Sequence, residues 1–479
     1  MFRTVSRRLG LSLVALVLAA CAAGPNFKPS PINTTVPERW RDSTISTQDS
    51  SYANLAWWEV LGDTTLQQLV RVALRENRDL RVALANVNEA RARLGIQRLE
   101  FLPQINVTGT AAAVNVNDTL LGLRTGTYGF FELGATLSWE LDLFGRLRRL
   151  NESAKASLLA TEYGRRGVIM TVVGDVARAY LELRDLDQQT VIAESLVVTR
   201  RRSLDLARSR FQGGLTSELD VRQGEAELAK ADGRVANIRL QASEKEQELN
   251  VLLGRMPGTV PRGAALMNQN FRTQIPPGLP SSLLQRRPDI RAAEQELRAA
   301  NAQIGAAIAA RFPTISLTGA GGWRTDDIGN LFKAGTGFWH LATNVLLPIL
   351  NAGRSGKQVQ VERARTEAAV ARYDQVVLNA FAEVENGLVE LQQLQIQVGA
   401  AVRQVAAARR AVVLAADRYQ GGVDSYTTLL DAQRVLGDAE LGESSVQRQQ
   451  RVAVVQLYRA LGGGWDPVTD SLAIPHPPR

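Results

Sequence analysis

The 479 residues carry 45% hydrophobic and 22% charged side chains, which excludes a disordered chain and allows a large core or two or three domains. The formal charge is +8, but basic residues alternate with acidic ones and form no aromatic-studded basic stripe, so no nucleic-acid partner is expected. One cysteine, two histidines and four methionines exclude an internal disulfide and leave no soft-metal ligand set, so no metal site is expected.

At the N-terminus, Arg3, Arg7 and Arg8 precede an apolar stretch from Leu9 to Ala20. Its 12 residues are too few to span a bilayer and suit the core of a signal peptide. It ends in LAAC, residues 18–21, which resembles a bacterial lipobox, so Cys21 is the expected lipid attachment site. A cysteine that merely follows an ordinary signal peptide is the alternative. Ala22, rather than Asp, follows Cys21 and favours the outer membrane over inner-membrane retention. Pro25, Pro29, Pro31 and Pro37 then suit an extended tether. Residues 1–20 are thus expected as signal peptide and 21–56 as an acylated extended segment.

An internal repeat organises the rest. DLRVALANVNEARARLG (79–95) matches DIRAAEQELRAANAQIG (289–305), and FLPQINVTG (101–109) matches RFPTISLTG (311–319), both at an offset of 210. Further on the offset is 208: Gly145-Arg146 matches Gly353-Arg354, and RFQGG (210–214) matches RYQGG (418–422). The expected division is a first repeat over 57–256, a linker over 257–280, a second repeat over 281–466 and a tail over 467–479.

Proline is absent between Pro103 and Pro257 and between Pro348 and Pro467, which permits very long helices. Val168, Val172, Val176, Ala179, Leu183 and Leu186 form a helical stripe of coiled-coil type. Helices from Gly145 to Phe211 and from Gly353 to Tyr419 would each run ~100 Å. Before each helix the period falls to two. Leu133, Ala135, Leu137, Trp139, Leu141 and Leu143 alternate with polar or small residues, and Leu341, Thr343, Val345, Leu347 and Ile349 repeat the pattern. β-hairpins are expected at about 103–144 and 313–350. Apolar-out, polar-in alternation marks outer-membrane barrel strands, and a soluble hairpin packed on a helix is the alternative. Two strands per half are too few to close a barrel alone, so two or three chains must share one.

Taken together, CAAGPNFKP (21–29), WWEVLGDTTLQQLV (57–70), ALRENRDLRVALANVNEARA (73–92), RRPDIRAAEQELRAANAQIGAA (286–307) and the two Gly-Gly turns resemble the outer membrane factor family. These are the TolC-like channels of tripartite efflux systems, and the resemblance is to their NodT-type lipoprotein branch. It implies a mixed α and transmembrane β fold: a homotrimer with a 12-stranded outer-membrane β-barrel continuous with a long periplasmic α-helical barrel. It also implies a passive exit duct in the outer membrane of a Gram-negative bacterium, extending into the periplasm. The implied partners are a periplasmic adaptor (membrane fusion protein), an inner-membrane pump of RND type and outer-membrane lipid. No cofactor is expected beyond the covalent lipid on Cys21. A non-conducting, periplasm-spanning scaffold is the alternative.

The Gly-Gly pairs sit where each long helix must turn back, with tips at about 211–217 and 419–425. Ser217, and Asp424 or Ser425, are candidate caps of the returning helices. The resemblance makes Gly213, Gly214, Ser217, Gly421, Gly422 and Ser425 candidate adaptor contacts; ordinary turns are the alternative reading. It also makes Asp424, Tyr426, Gly421 and Gly422 a candidate gate at the periplasmic aperture, with Asp424 as a mere cap the alternative.

No catalytic residues are expected. NAGRSGKQ (351–358) lacks the first Gly and the final Ser or Thr of a phosphate loop and reads as a helix start. His340 is expected to open a strand, at an interfacial or lumen-facing position. Glu140 and Asp142 are expected together on one strand face, lining a wet lumen.

Overall fold

The computed structural model describes residues 22–28, 37, 39–41, 62–116, 126–269, 278 and 280–463. Cys21 lies outside them.

The elements run in order. They are α1 (Thr64–Glu76), α2 (Arg78–Leu99), β1 (Gln104–Val116), β2 (Gly126–Leu141), α3 (Arg146–Gln212), α4 (Glu218–Leu252), α5 (Leu283–Arg286), α6 (Pro288–Ala309), β3 (Thr314–Thr325), β4 (Gly337–Leu346), α7 (Arg354–Gln420) and α8 (Tyr426–Ala460). The repeat is visible in the lengths: α3 and α7 have 67 residues each, and α4 and α8 have 35 each.

Local chemistry places the boundaries. Asp63 caps α1 by accepting from the Thr65 and Leu66 amides. Asn77 accepts from the Asp79 and Leu80 amides and donates to the Leu252 carbonyl, so one side chain starts α2 and satisfies the end of α4. Pro103 and Pro313 follow α2 and α6 and hand the chain to extended structure.

The chain divides into two compact units that cut across the repeats. One gathers 86–162 and 292–373 with the N-terminal segment; the other gathers 32–85, 163–291 and 374 onward. The first holds the strands. Among the described residues they form one antiparallel sheet in the order β1-β2-β3-β4. The second holds the main apolar cluster, in which Leu66, Val70, Val176, Tyr180, Leu183, Leu249 and Leu266 are fully buried. The stripe expected on α3 is there: Val172, Val176, Ala179 and Leu183 are buried, and Val168 packs against them. Ala177, Tyr180 and Leu181 are buried as well, so α3 is wrapped on more than one side here.

Two expectations about the strands need correction. The alternation continues in sequence to Ile349, but β4 ends at Leu346; Leu347 and Ile349 flank Pro348, which has no amide to give a ladder. Asp142 lies beyond the end of β2, where it accepts from the Leu147 and Arg148 amides and so caps α3. Glu140, on the strand, is paired with Arg146 at 2.6 Å. Ion pairs and a helix cap therefore absorb the two carboxylates that share a face in the sequence pattern. NAGRSGKQ does start a helix, with Ala352 (φ 50°) and Gly353 (φ 79°) making the turn into α7.

Candidate functional site

The sheet register sorts the strand residues into two faces. Leu137 stands opposite Ile105 on β1 and Gly319 on β3, and Gly319 stands opposite Leu341 on β4. One face therefore carries Ile105, Val107, Leu133, Leu137, Trp139, Leu141, Ile315, Leu317, Leu341 and Val345. The other carries Gln104, Asn106, Thr108, Glu132, Thr136, Ser138, Thr318, Arg324, His340 and Asn344. Polar residues pair across strands on this second face: Arg324 reaches Glu132 at 2.6 Å, and Asn344 donates to Thr318 at 2.9 Å. His340 is the fourth residue of β4 rather than its opening one, and it sits on the polar face.

The apolar face is exposed on the edge strands β1 and β4, and half-buried on β2 and β3. Ile105, Val107, Leu341 and Val345 are each more than 60% exposed. A contiguous apolar surface of this kind marks contact with lipid or with another chain. Trp139 stands at the helix end of the sheet and donates its indole N–H to the Phe101 carbonyl at 2.9 Å. Trp323 pairs across from Leu133, six residues further along β2. The edges β1 and β4 keep a row of ladder groups that no described strand pairs. Their directions are opposite, so β4 of one copy can pair antiparallel with β1 of another.

The helix tips lie in the other unit. Each long helix stops by the same hydrogen bonds. The Gly214 amide donates to Phe211 and the Leu215 amide to Arg210; the Gly422 amide donates to Tyr419 and the Val423 amide to Arg418. These are Schellman closures, which need one left-handed residue each. Only the second glycine of each pair has positive φ, 67° at Gly214 and 73° at Gly422. Ser217 caps α4 through the Leu219 amide, and Ser425 caps α8 through the Thr428 amide. Of the two candidates for the second cap, the structure uses Ser425.

Asp424 is held instead by a two-pronged ion pair, accepting from Arg418 Nε at 2.6 Å and Nη2 at 2.9 Å. The guanidinium holds the Asp424 carboxyl below the usual carboxylate range. Tyr426 does not join Asp424 on the surface. It is 1% exposed, packs on Tyr419 with ring centroids 5.2 Å apart, and burial pushes its hydroxyl up to about 12. Gly224 leaves room for it, because a Cβ there would lie 2.7 Å from the Tyr426 hydroxyl. The expected shared narrowing is corrected accordingly: Tyr426 is internal support for the tip.

The two hairpins are tied together beneath the tips. Arg210 donates to the Gln420 carbonyl at 2.8 Å and lies over the Tyr419 ring, whose hydroxyl donates to Asp220 at 3.4 Å. Lower down, Arg200 is 3% exposed; it donates to the Leu430 carbonyl and to Gln433 and pairs with Glu227. Gln433 in turn donates to Ser203 at 2.7 Å. Sequence reading missed Arg200, since nothing in the run TRRRS (199–203) singles out one arginine. No group of acidic, Cys or His residues suited to a metal occurs among the described residues. No described helix is long and apolar enough to cross a membrane.

A family model for the outer membrane efflux protein matches residues 69–255 and 279–463, one stretch for each repeat and most of the chain. The chain belongs to the outer membrane efflux protein family. It is 35% identical over 464 residues to the antibiotic efflux pump outer membrane protein ArpC of Pseudomonas putida, covering 95% of both chains. It is 34% identical to the outer membrane protein OprJ of Pseudomonas aeruginosa, again over 95% of each. Among solved structures, the outer-membrane channel OprN matches with a TM-score of 0.84 at 31% identity, over 93% of this chain and 100% of that one. The open state of the MtrE outer membrane channel of Neisseria gonorrhoeae matches with a TM-score of 0.83 at 32% identity, over 93% and 98%. As an outer membrane efflux protein the chain is a transport component of the outer membrane.

Proposed function

We propose that three copies of this chain form a passive exit duct, a twelve-stranded barrel continuous with a helical barrel, within a tripartite efflux system. The observation that carries the reading is the sheet: four strands with one apolar face, one polar face and two free edges of opposite direction. Four strands cannot close, and an open edge in lipid is not tolerated, so the sheet must be completed by other copies. The polar face then lines a wet lumen.

On this reading the duct is passive and the energy for transport comes from elsewhere. An inner-membrane pump of RND type, joined through a periplasmic adaptor, supplies it. The adaptor docks on the tips at Gly213, Gly214, Ser217, Gly421, Gly422 and Ser425, and the surface carboxylate Asp424 beside the Gly421-Gly422 turn belongs to the gate. A lipid on Cys21 adds a second hold on the membrane.

The test is native mass spectrometry of detergent-extracted protein, followed by planar-bilayer recording. Trimers with stepwise conductance are the expected result. Trimers without conductance would leave a scaffold, and monomers would remove the barrel.

A further inference from the structure

The start of α3 and the start of α7 are counterparts at an offset of 208, and the two repeats treat them differently. At α3 the charges are paired and the surface is covered. Arg146 pairs with Glu140, Arg148 with Asp142 and Arg149 with Glu152. Residues 22–26 lie across this surface. Ala22 rests on Gly145, where a Cβ would come within 2.8 Å of it, and the buried Arg149 donates to the Ala23 and Gly24 carbonyls and to Asn26.

At α7 all three carboxylates are replaced. Pro348 stands for Glu140, Leu350 for Asp142 and Gln360 for Glu152. The cations are kept: Arg354 stands for Arg146, Lys357 for Arg149 and Arg363 for Lys155. One more is added, because Arg311 stands where the first repeat has Phe101, at the offset of 210. Gly356 replaces Arg148, which removes the side chain that fills the counterpart surface. A Cβ at Gly353 or Gly356 would meet nothing within 4 Å.

The result is a cavity of about 340 Å³ between the chain just after α6 and the first turns of α7. Arg311, Lys357 and Arg363 line it, with Gln360 and the buried Val359, and no acid does. Lys357 donates to Gln360 at 3.2 Å, and none of the three cations makes an ion pair among the described residues. Like charges gathered around one space repel each other, and an anion between them removes that cost. The surroundings indicate which anion. The chain enters α7 from β4 through Leu347, Ile349 and Leu350, which are 47%, 81% and 95% exposed. A cationic cavity beside bare apolar side chains suits a phospholipid, with phosphate on the cations and acyl chain on the apolar residues.

We propose that the cavity at the start of α7 binds the phosphate of an anionic phospholipid, held by Arg311, Lys357 and Arg363, with Leu347, Ile349 and Leu350 against its acyl chains. The barrel reading supplies the depth, because it puts this end of the sheet at the membrane surface; the site itself lies within one copy. On the reading of Cys21 as the lipid-bearing residue, the counterpart surface under Ala22 also lies beside a lipid. The first repeat then receives its lipid covalently and the second by charge. A zwitterionic lipid carries a cation that the three side chains repel, so phosphatidylglycerol is preferred over phosphatidylcholine.

Native mass spectrometry of the full-length protein tests it, in a neutral detergent titrated with phosphatidylglycerol or phosphatidylcholine. Wild type is expected to keep one phosphatidylglycerol per copy at concentrations where phosphatidylcholine is lost. The triple variant Arg311→Gln, Lys357→Gln, Arg363→Gln alters only exposed side chains. Its affinity for phosphatidylglycerol is expected to fall ~100-fold, from about fivefold for each basic residue. Gln360→Glu restores the carboxylate of the first repeat and is expected to weaken binding about fivefold by itself. Millimolar inorganic phosphate separates a lipid site from a free-anion site, because the acyl contacts should keep phosphatidylglycerol bound. Displacement by phosphate, equal binding of the two lipids, or wild-type affinity in the triple variant would each overturn the proposal. The same spectra count the copies. Monomers that retain phosphatidylglycerol would remove the barrel reading and keep the site; trimers that retain none would overturn the site and keep the barrel.

Discussion

Replacing Leu137 by Arg tests the face assignment directly. Leu137 lies between Ile105 and Gly319 on the apolar face. The Trp139 row and the Leu133–Trp323 row are six residues apart on β2, ~20 Å at ~3.4 Å per residue. That is close to the ~25 Å apolar band of an outer-membrane barrel. Leu137 is within one residue of the midpoint. An Arg there is expected to cost ~2–4 kcal/mol per copy, or ~30- to 1000-fold in assembly, and a ring carries the cost once per copy. Ser138 is the adjacent residue on the polar face, between Gln104 and Thr318. Ser138→Arg is expected to change stability by no more than ~0.5 kcal/mol. The assay is the amount of heat-modifiable oligomer in outer-membrane fractions on semi-native gels. Equal yields for the two variants, or a lower yield for Ser138→Arg, would refute the faces read from the register.

Three further outcomes are expected. Gly254→Ala should lower the melting temperature, because Gly254 has φ 68° and a Cβ would run into the Glu76 carbonyl; Gly233→Ala, with open space inside α4, should raise stability by ~0.5–1 kcal/mol. Asp185 is 3% exposed and raised above the ordinary carboxylate value by burial, against donation from Ser444 and Arg448. Its folded pKa lies above its unfolded one, so its contribution to stability falls as pH rises through the raised value; Asp185→Asn should flatten that part of the melting-temperature profile, and Asp185→Ala should cost ~2 kcal/mol by leaving Ser444 and Arg448 short of an acceptor. For Asp424 the shift is downward, so its pairing with Arg418 should persist below the ordinary carboxylate pKa and be lost only as pH falls through the depressed value. Asp424→Asn should reduce cation preference in single-channel recordings, and unchanged selectivity would show that Asp424 serves only to hold the turn.

The long helices and strands were legible because each rests on a local rule. Proline exclusion allowed the long helices, and Gly145, Gly353 and the Gly-Gly pairs marked the ends of α3 and α7 to within a residue; period two showed the hairpins but not the first seven residues of β2. Glycine pairs marked both tips, although which glycine turns left-handed depends on the closure bonds and not on composition. What could not be read was tertiary. Tyr426 follows a turn at the surface of the sequence pattern, yet it is buried because Gly224 on another helix leaves space for its ring. Asp142 continues the strand alternation but is used as a helix cap, because the chain turns at Gly145. Arg200 resembles its neighbours Arg201 and Arg202 in every local respect. Only helix phase and the partners Gln433 and Glu227 set it apart.

The repeat also explains why one chain is an incomplete object. Two copies of a motif joined in tandem can satisfy the junction between them, α3 on α6, and the sheet pairing between them, β2 with β3. They cannot satisfy the same contacts at their outer ends. Those ends are β1 on one side and β4 on the other. Each exposed edge is the equivalent of a satisfied one in the interior. On the proposed trimer another copy completes the sheet by presenting β4 to β1. If Leu137→Arg blocks assembly and Ser138→Arg does not, the apolar sheet face belongs to that closure.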